Sequence, residues 1–315
     1  MGAGSAGYEG YAGYSGNMPF YSTAFNPAAP NFNPPQQQNQ SFYRSVPPSQ
    51  THALLDYSMF LQMPSNMQNP DATTTAGSRR SRSPKGTNQR DKIIQPSLES
   101  GGVPDPTPEY LALASHPPFL LAQPRNILVV VDLNGTLLHR PSRHSPTRFV
   151  ERPFARSFLS YCVNTFTVAI WSSARPENVK NMCAQLLTPE DRAKVVAVWG
   201  RNNFGLTKGD YNLRVLCYKR LTALWNDPAV AASHPMAANG EKWSQVNTVL
   251  VDDSVDKARS EPFNLVQIPE FVGNAQEPGF VLPQVHDYLN ECSQQSNISA
   301  YMKGQPFKAN PEFSM

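Results

Sequence analysis

From Thr107 onward, short apolar runs alternate with amphipathic stretches, and that alternation sets the expected architecture. Asn126–Asp132 holds three consecutive valines and ends in a carboxylate, the pattern of a central parallel strand buried on both faces. Thr167–Trp171, Val195–Trp199, Thr248–Val251 and the short Leu265–Ile268 read as further strands. Between them the spacing predicts helices. One covers Thr107–Ala114, and another covers Pro153–Cys162 with Phe154, Phe158, Leu159 and Cys162 on one face. A third opens at Ser173 with a capping hydroxyl and the early Pro176, and buries Val179, Met182, Cys183, Leu186 and Leu187. Arg214 to Trp225 is expected to be helical and to carry Lys219, followed by a polar loop over Asn226–Lys242. The last helix spans about Val281–Ser293. Strands and helices in this order imply right-handed crossovers and a doubly wound, Rossmann-like α/β fold with a parallel sheet.

Composition divides the chain before any motif does. Residues 1–105 are dominated by Gly, Pro, Asn, Gln and Ser with interspersed Tyr and Phe, too poor in aliphatics to offset a backbone entropy of about 1–2 kcal/mol per residue. A disordered low-complexity arm is expected there, its spaced aromatics able to act as weak self-association stickers. The folded domain is then 106–295 and a flexible tail 296–315. The net charge of +3 is unevenly spread: Arg79, Arg80, Arg82, Lys85, Arg90 and Lys92 face only Asp91, a local +5 that leaves the rest of the chain near −2. The domain itself is therefore no nucleic-acid binder by charge. The basic run, 78–92, reads as an import-receptor signal, a weak RNA contact, a phosphorylation switch at Ser81 or Ser83, or a solvated linker.

Four scattered cysteines without a CxxC pair read as buried free thiols in a reducing compartment. No apolar run approaches the ~18 residues a membrane span needs. Nuclear or cytoplasmic residence follows, and the lack of any Lys or Arg before Arg44 argues against a mitochondrial presequence. Nothing in the sequence sets an oligomeric state.

Candidate chemistry falls at the carboxyl ends of the expected strands, where ligands bind in this architecture. Asp132 closes the first strand, Ser172 follows the second, and Asp252 and Asp253 end the fourth. If Asp132 and Asp253 meet, their repulsion calls for a hard cation such as Mg2+. Lys219 would neutralise Asp252 or a phosphate oxygen, the Ser172 hydroxyl would hold another, and Gly135 would permit a tight turn with its amide aimed at an anion. Asp132 then keeps one oxygen free to attack phosphorus.

With those residues in place, DLNGT, IWSSA, CYKRL and LVDDS, in order, resemble the four motifs of the haloacid-dehalogenase superfamily. The region Asn126–Cys292 is similar to its branch of RNA-polymerase carboxy-terminal-domain phosphatases, the nuclear-LIM-interactor-interacting-factor-like domain. FVERPFARSFL resembles that branch's extended flap and following helix. AVWGRNNFGL through Tyr211 resembles its small strand insertion, which stands in place of a large cap. The resemblance implies Asp132 as nucleophile and metal ligand, the Asn134 backbone carbonyl as metal ligand, and Asp253 as the third metal position. Ser172 matches the phosphate-binding hydroxyl, Lys219 the charge-balancing lysine and Asp252 its partner, with Thr136 in support.

One position departs from the family pattern. Asn134 stands where an aspartate protonates the leaving oxygen and later activates water, and an amide does neither at neutral pH. The expected function is a Mg2+-dependent phosphatase acting on phosphorylated protein or peptide segments, with turnover impaired by Asn134. The alternative is a catalytically inactive binding or scaffold module, as in the translocase subunit with a related domain. A small-molecule phosphatase is the weaker reading, because the insertion is too small to enclose a substrate. Arg152, Trp199, Arg201, Phe204 and Tyr211 are candidates to line an open peptide groove.

Overall fold

Val129, Val130 and Val131 are fully buried on both sides of a sheet, as the unbroken valine run requires. They belong to β1 (Leu128–Val131) in a computed structural model that describes residues 93–314, apart from 143, 144, 146 and 147. The aromatic low-complexity stretch and the Arg79–Lys92 run lie outside the described residues. In chain order α1 (Pro108–Leu113) precedes β1, and β2 (Leu138–His139) and β3 (Val150–Glu151) follow it. Next come α2 (Ala155–Thr165), β4 (Thr167–Trp171), α3 (Pro176–Leu186), α4 (Pro189–Lys194) and β5 (Ala197–Trp199). The short helices α5 (Lys208–Asn212), α6 (Leu221–Trp225) and α7 (Pro228–Ala232) lead to β6 (Thr248–Asp252) and β7 (Leu265–Gln267), and α8 (Val281–Ser293) and α9 (Ile298–Gly304) complete the fold.

The main sheet has the order β5-β4-β1-β6-β7, all parallel. From β1 the chain moves outward to β4 and β5, then returns to β6 and moves the other way to β7. The connections therefore reverse direction between β1 and β6, which opens a crevice at their carboxyl ends. Strand parity assigns each side chain to a layer. Val129 and Val131, with Val249 and Val251, join the core that includes Phe158, Leu159, Met182, Leu282 and Leu289. Leu128, Val130 and Leu250 join the other, with Trp171, Cys217, Leu221, Leu224 and Trp243. The next even positions, Asp132 and Asp252, are thus directed toward the layer containing Cys217 and Leu221, between which Lys219 lies.

Several local expectations are corrected. Lys219 is not helical: α6 begins only at Leu221. The reason is a long-range pairing in which Ile94 bridges Val215, its N–H donating to the Arg214 carbonyl and its own carbonyl accepting from Leu216. That pairing draws 214–216 into an extended path and overrides the helical spacing. Residues 93–105, assigned to the arm on composition, are pinned to the domain. Ser97 donates its N–H to the Asp210 carboxylate (2.8 Å), and the Arg220 guanidinium donates to the carbonyls of Gly101 and Gly102.

The expected polar loop contains α7, capped by Asp227 at the amides of Ala229 and Val230. The extended flap expected at FVERP contributes β3 to the antiparallel β2–β3 ribbon. The stretch expected as the small strand insertion, Ala197–Tyr211, holds β5, a 3-10 turn over Arg201–Phe204 and the start of α5.

The expected flexible tail is also corrected. Ile298, Tyr301 and Met302 of α9 are buried in the first core, and the Asn297 side chain caps the helix at the Ala300 amide. Ile298→Ala is expected to lower unfolding stability by about 2–5 kcal/mol, the range for emptying a fully packed aliphatic site. Chemical denaturation checks this, and a loss within ~0.5 kcal/mol, as at an ordinary surface position, would show that α9 does not belong to the cooperative core. The four cysteines are free and buried, and burial pushes the Cys183 thiol up to about 12. Among the described residues, no helix is long and apolar enough to cross a membrane.

Candidate active site

Register brings the acids together. Val131 pairs with Val251, so Asp132 and Asp252 stand side by side one step beyond, and Asp253 follows at the start of the loop. One carboxylate oxygen from each of the three lies within 4.8 Å of those of the other two. Lys219, with a fully buried side chain, sets its Nζ 2.5 Å from Asp252 Oδ2 and 3.2 Å from Asp132 Oδ1. Its backbone N–H donates to the Lys257 carbonyl at 2.7 Å, fixing where the ammonium enters.

A second ammonium was not anticipated from the sequence. Lys257 Nζ lies 2.9 Å from Asp132 Oδ2, 3.0 Å from Asp252 Oδ1 and 3.4 Å from Asp253 Oδ1. The available signal was its spacing four residues after Asp253, on a 3-10 turn that folds the side chain back over the strand end. Burial alone would push the Asp132 carboxyl up, but Lys219 and Lys257 outweigh it and hold the group at about 2. Asp253 goes the other way, pushed up to about 6 by burial with help from Asp252 and Asp132, against the pull of Lys257. Burial disfavours the charged Lys257, yet the three carboxylates keep it well above the ordinary lysine range.

The DLNGT turn is built around Asp253. Gly135 has φ +88°, and a Cβ there would sit 2.8 Å from Asp253 Cγ, so both the backbone conformation and the close approach demand glycine. Its amide does not face an anion as expected, because it donates to the Leu138 carbonyl at 2.8 Å and closes the turn. Thr136 is buried and its hydroxyl donates to Asp253 Oδ1 at 3.3 Å. Asn134 accepts the Arg140 N–H on its side-chain oxygen at 3.0 Å. Ser172 follows β4 on the other flank of β1, buried, with its N–H on the Trp199 carbonyl.

A cavity of about 490 Å³ opens over these groups, lined by Asn134, Arg140, Ser173, Arg201, Asp253 and Lys257 among others. Of the five groove candidates only Arg201 reaches it. Arg152 is buried instead as a brace, donating to the carbonyls of Thr136 and Pro269 and pairing with Glu277. Trp199 and Phe204 pack on Trp171, and Tyr211 lies under the Arg201 guanidinium. Arg140 and Arg214, like Lys257, are basic cavity residues that sequence reasoning missed.

Three carboxylates, a buried lysine and a strand-end turn thus meet at one crevice. The profile of the NLI interacting factor-like phosphatases matches residues 127–299. The chain belongs to that family. An uncharacterized FCP1 homology domain-containing protein of Schizosaccharomyces pombe is 32% identical over 217 residues, covering 65% of this chain and 86% of the relative. Two solved structures align loosely. The fission yeast RNA polymerase II CTD phosphatase Fcp1 bound to beryllium fluoride has 10% identity and a TM-score of 0.29, over 53% of this chain and 50% of that one. A second structure of Fcp1, described as an essential RNA polymerase II CTD phosphatase, has 12% identity and a TM-score of 0.25, over 59% and 56%. This NLI interacting factor-like domain thus joins a haloacid-dehalogenase-type sheet to an acid cluster that holds two lysines.

Proposed function

We propose that the domain hydrolyses phosphoserine or phosphothreonine in a protein segment through an aspartyl-phosphate on Asp132, with slow turnover. The observation that carries this reading is the convergence of Asp132, Asp252, Asp253 and Lys219 at the β1/β6 crevice. The donor set is all oxygen, and Asp132 Oδ1, though buried and 3.2 Å from Lys219, accepts no hydrogen bond from any described residue. These features fit a hard divalent cation, which Asp132, Asp253 and the Asn134 backbone carbonyl would hold. Mg2+, when bound, supplies positive charge against the phosphate oxygens.

The chain's own groups do the rest. Asp132, kept ionised at neutral pH by the lysines, attacks phosphorus, and the bond from phosphorus to the serine oxygen breaks. Lys219 holds Asp252 and stabilises the negative charge at the strand end. Arg140 and Arg201 line the cavity entered by the phosphorylated segment, and the buried Ser172, next to the cavity-lining Ser173, is assigned to a phosphate oxygen by the family resemblance. Asn134 gives no proton to the departing alkoxide, so that proton comes from solvent. Water then cleaves the acyl phosphate without a carboxylate to activate it. Nuclear residence goes with this reading, supported by the basic run that ends at Lys92.

A second reading keeps phosphate binding and drops turnover. Asn134 favours it, since an amide removes one negative charge near the anion while filling the same space. Assay of the full chain with Mg2+ on an aryl phosphate and on a phosphoserine peptide decides between them. The wild type is expected to release phosphate from both, faster from the aryl ester, and Asp132→Asn is expected to release none. Peptide binding without release from either substrate would leave only the binding module.

A further inference from the structure

The ammonium of Lys257 stands where a cation bridging Asp132 and Asp253 would stand. It contacts one oxygen of each, at 2.9 and 3.4 Å, and one of Asp252 at 3.0 Å. A Mg2+ ion draws carboxylate oxygens to about 2.0–2.1 Å and keeps several waters besides. The same oxygens cannot serve both, because volume and charge repulsion each forbid it. We propose that Lys257 is a tethered substitute for the divalent ion, filling the cation position in most metal-free molecules and displaced from it in the metal-bound state. The inference rests on reading the acid cluster as the metal site of the proposed phosphatase.

Four features support a movable plug rather than a fixed strut. The Lys257 carbonyl is held by the Lys219 N–H, so the backbone is anchored and the long side chain is the part free to move. That side chain is 15% exposed where that of Lys219 is fully buried, and it lines the cavity, which gives it a way out. Glu270 lines the same cavity and offers a carboxylate to the displaced ammonium. The fit is also incomplete: Lys257 meets only Oδ2 of Asp132, and Oδ1 is left without a hydrogen bond in a buried position, so the ammonium does not satisfy the whole carboxylate.

Charge sets the direction of the effect. Three carboxylates against two ammoniums leave a single net negative charge, a weak attractor for a divalent ion. Without Lys257 the balance is two negative charges, and no group has to be expelled. Apparent metal affinity in the native chain is therefore reduced by the fraction of molecules in which Lys257 has already swung out. The domain would load metal only at high divalent concentration, and the same swing uncovers Asp132 to a phosphate.

The test uses the full chain and titration calorimetry with MgCl2. Lys257→Gln is expected to bind Mg2+ at least ten-fold tighter than wild type, and Lys257→Arg, which keeps the charge, to stay near wild type. Acylation footprinting reads the same event in the unaltered protein, so a variant that fails to fold does not end the test. Labelling of Lys257 is expected to rise several-fold at saturating Mg2+ while buried Lys219 stays unlabelled. Equal Mg2+ affinity in Lys257→Gln and wild type, or Lys257 labelling that does not change on saturation, overturns the inference. Tight Mg2+ binding by Lys257→Gln with no hydrolysis by any form would sink the catalytic reading and leave this one standing.

Discussion

Lys219→Met lowers the unfolding stability of this domain by about 3–5 kcal/mol, the cost of removing one partner from a buried ion cluster. The side chain is fully buried and its ammonium lies 2.5 Å from Asp252 Oδ2 and 3.2 Å from Asp132 Oδ1, so solvent screening does not discount the figure. Methionine nearly fills the volume, which isolates the charge from a cavity effect. What remains is two buried carboxylates with Lys257 as their remaining close ammonium. If the loss is electrostatic, Lys219→Met combined with Asp252→Asn recovers much of it, because the uncompensated charge is gone. Denaturant titration of both variants measures this. A single-variant loss below ~1 kcal/mol, or a double variant less stable than the single, would mean that Lys219 is not the counter-ion of the cluster.

Asn134→Asp should raise hydrolysis of a phosphoserine peptide by roughly 10²–10⁴-fold, the usual worth of a positioned general acid and base. The geometry is prepared for the change. The Asn134 side-chain oxygen accepts the Arg140 N–H at 3.0 Å, and a carboxylate oxygen accepts the same bond. Proton chemistry is what the substitution adds. The gain should be larger for the peptide than for an aryl phosphate, whose leaving oxygen departs without a proton. The added negative charge should raise KM while kcat rises. Initial-rate measurements on the two substrates check this, and an unchanged kcat on the peptide would show that a missing acid is not what limits turnover. Asn134-Gly135 is a deamidation-prone pair, so peptide mass analysis must accompany any weak wild-type rate. The Gly135 nitrogen that would attack the amide is engaged in the turn with Leu138, which restrains that reaction in the folded chain.

Much of the site was legible because it depends on parallel strands. An apolar run ending in a polar residue marks both a central strand and its functional end, so Asp132, Asp252 and Asp253 could be placed together from the sequence. What escaped depends on contacts distant in sequence. The extended path before Lys219 is imposed by Ile94, over a hundred residues away and in a segment whose composition reads as arm. Helix α9 has only seven residues, and its stripe of Ile298, Tyr301 and Met302 is too short to stand out against the polar text before it. Lys257 sits in a turn whose fold-back no periodicity encodes. The turn at Gly135 shows the reverse limit. Its glycine was read correctly as conformationally necessary, but the destination of its amide depended on Leu138 curling back from the flap.

In the proposed mechanism Asp132 carries the phosphoryl group. Incubation of the full chain with Mg2+ and an aryl phosphate, followed by rapid quench and borohydride reduction, converts an acyl phosphate at an aspartate into homoserine that peptide mass spectrometry locates. Because Asn134 cannot activate water, the adduct should persist long enough to trap, and homoserine is expected at position 132 alone. Phosphate release from a chain whose Asp132 is recovered unreduced at every quench time would contradict the account.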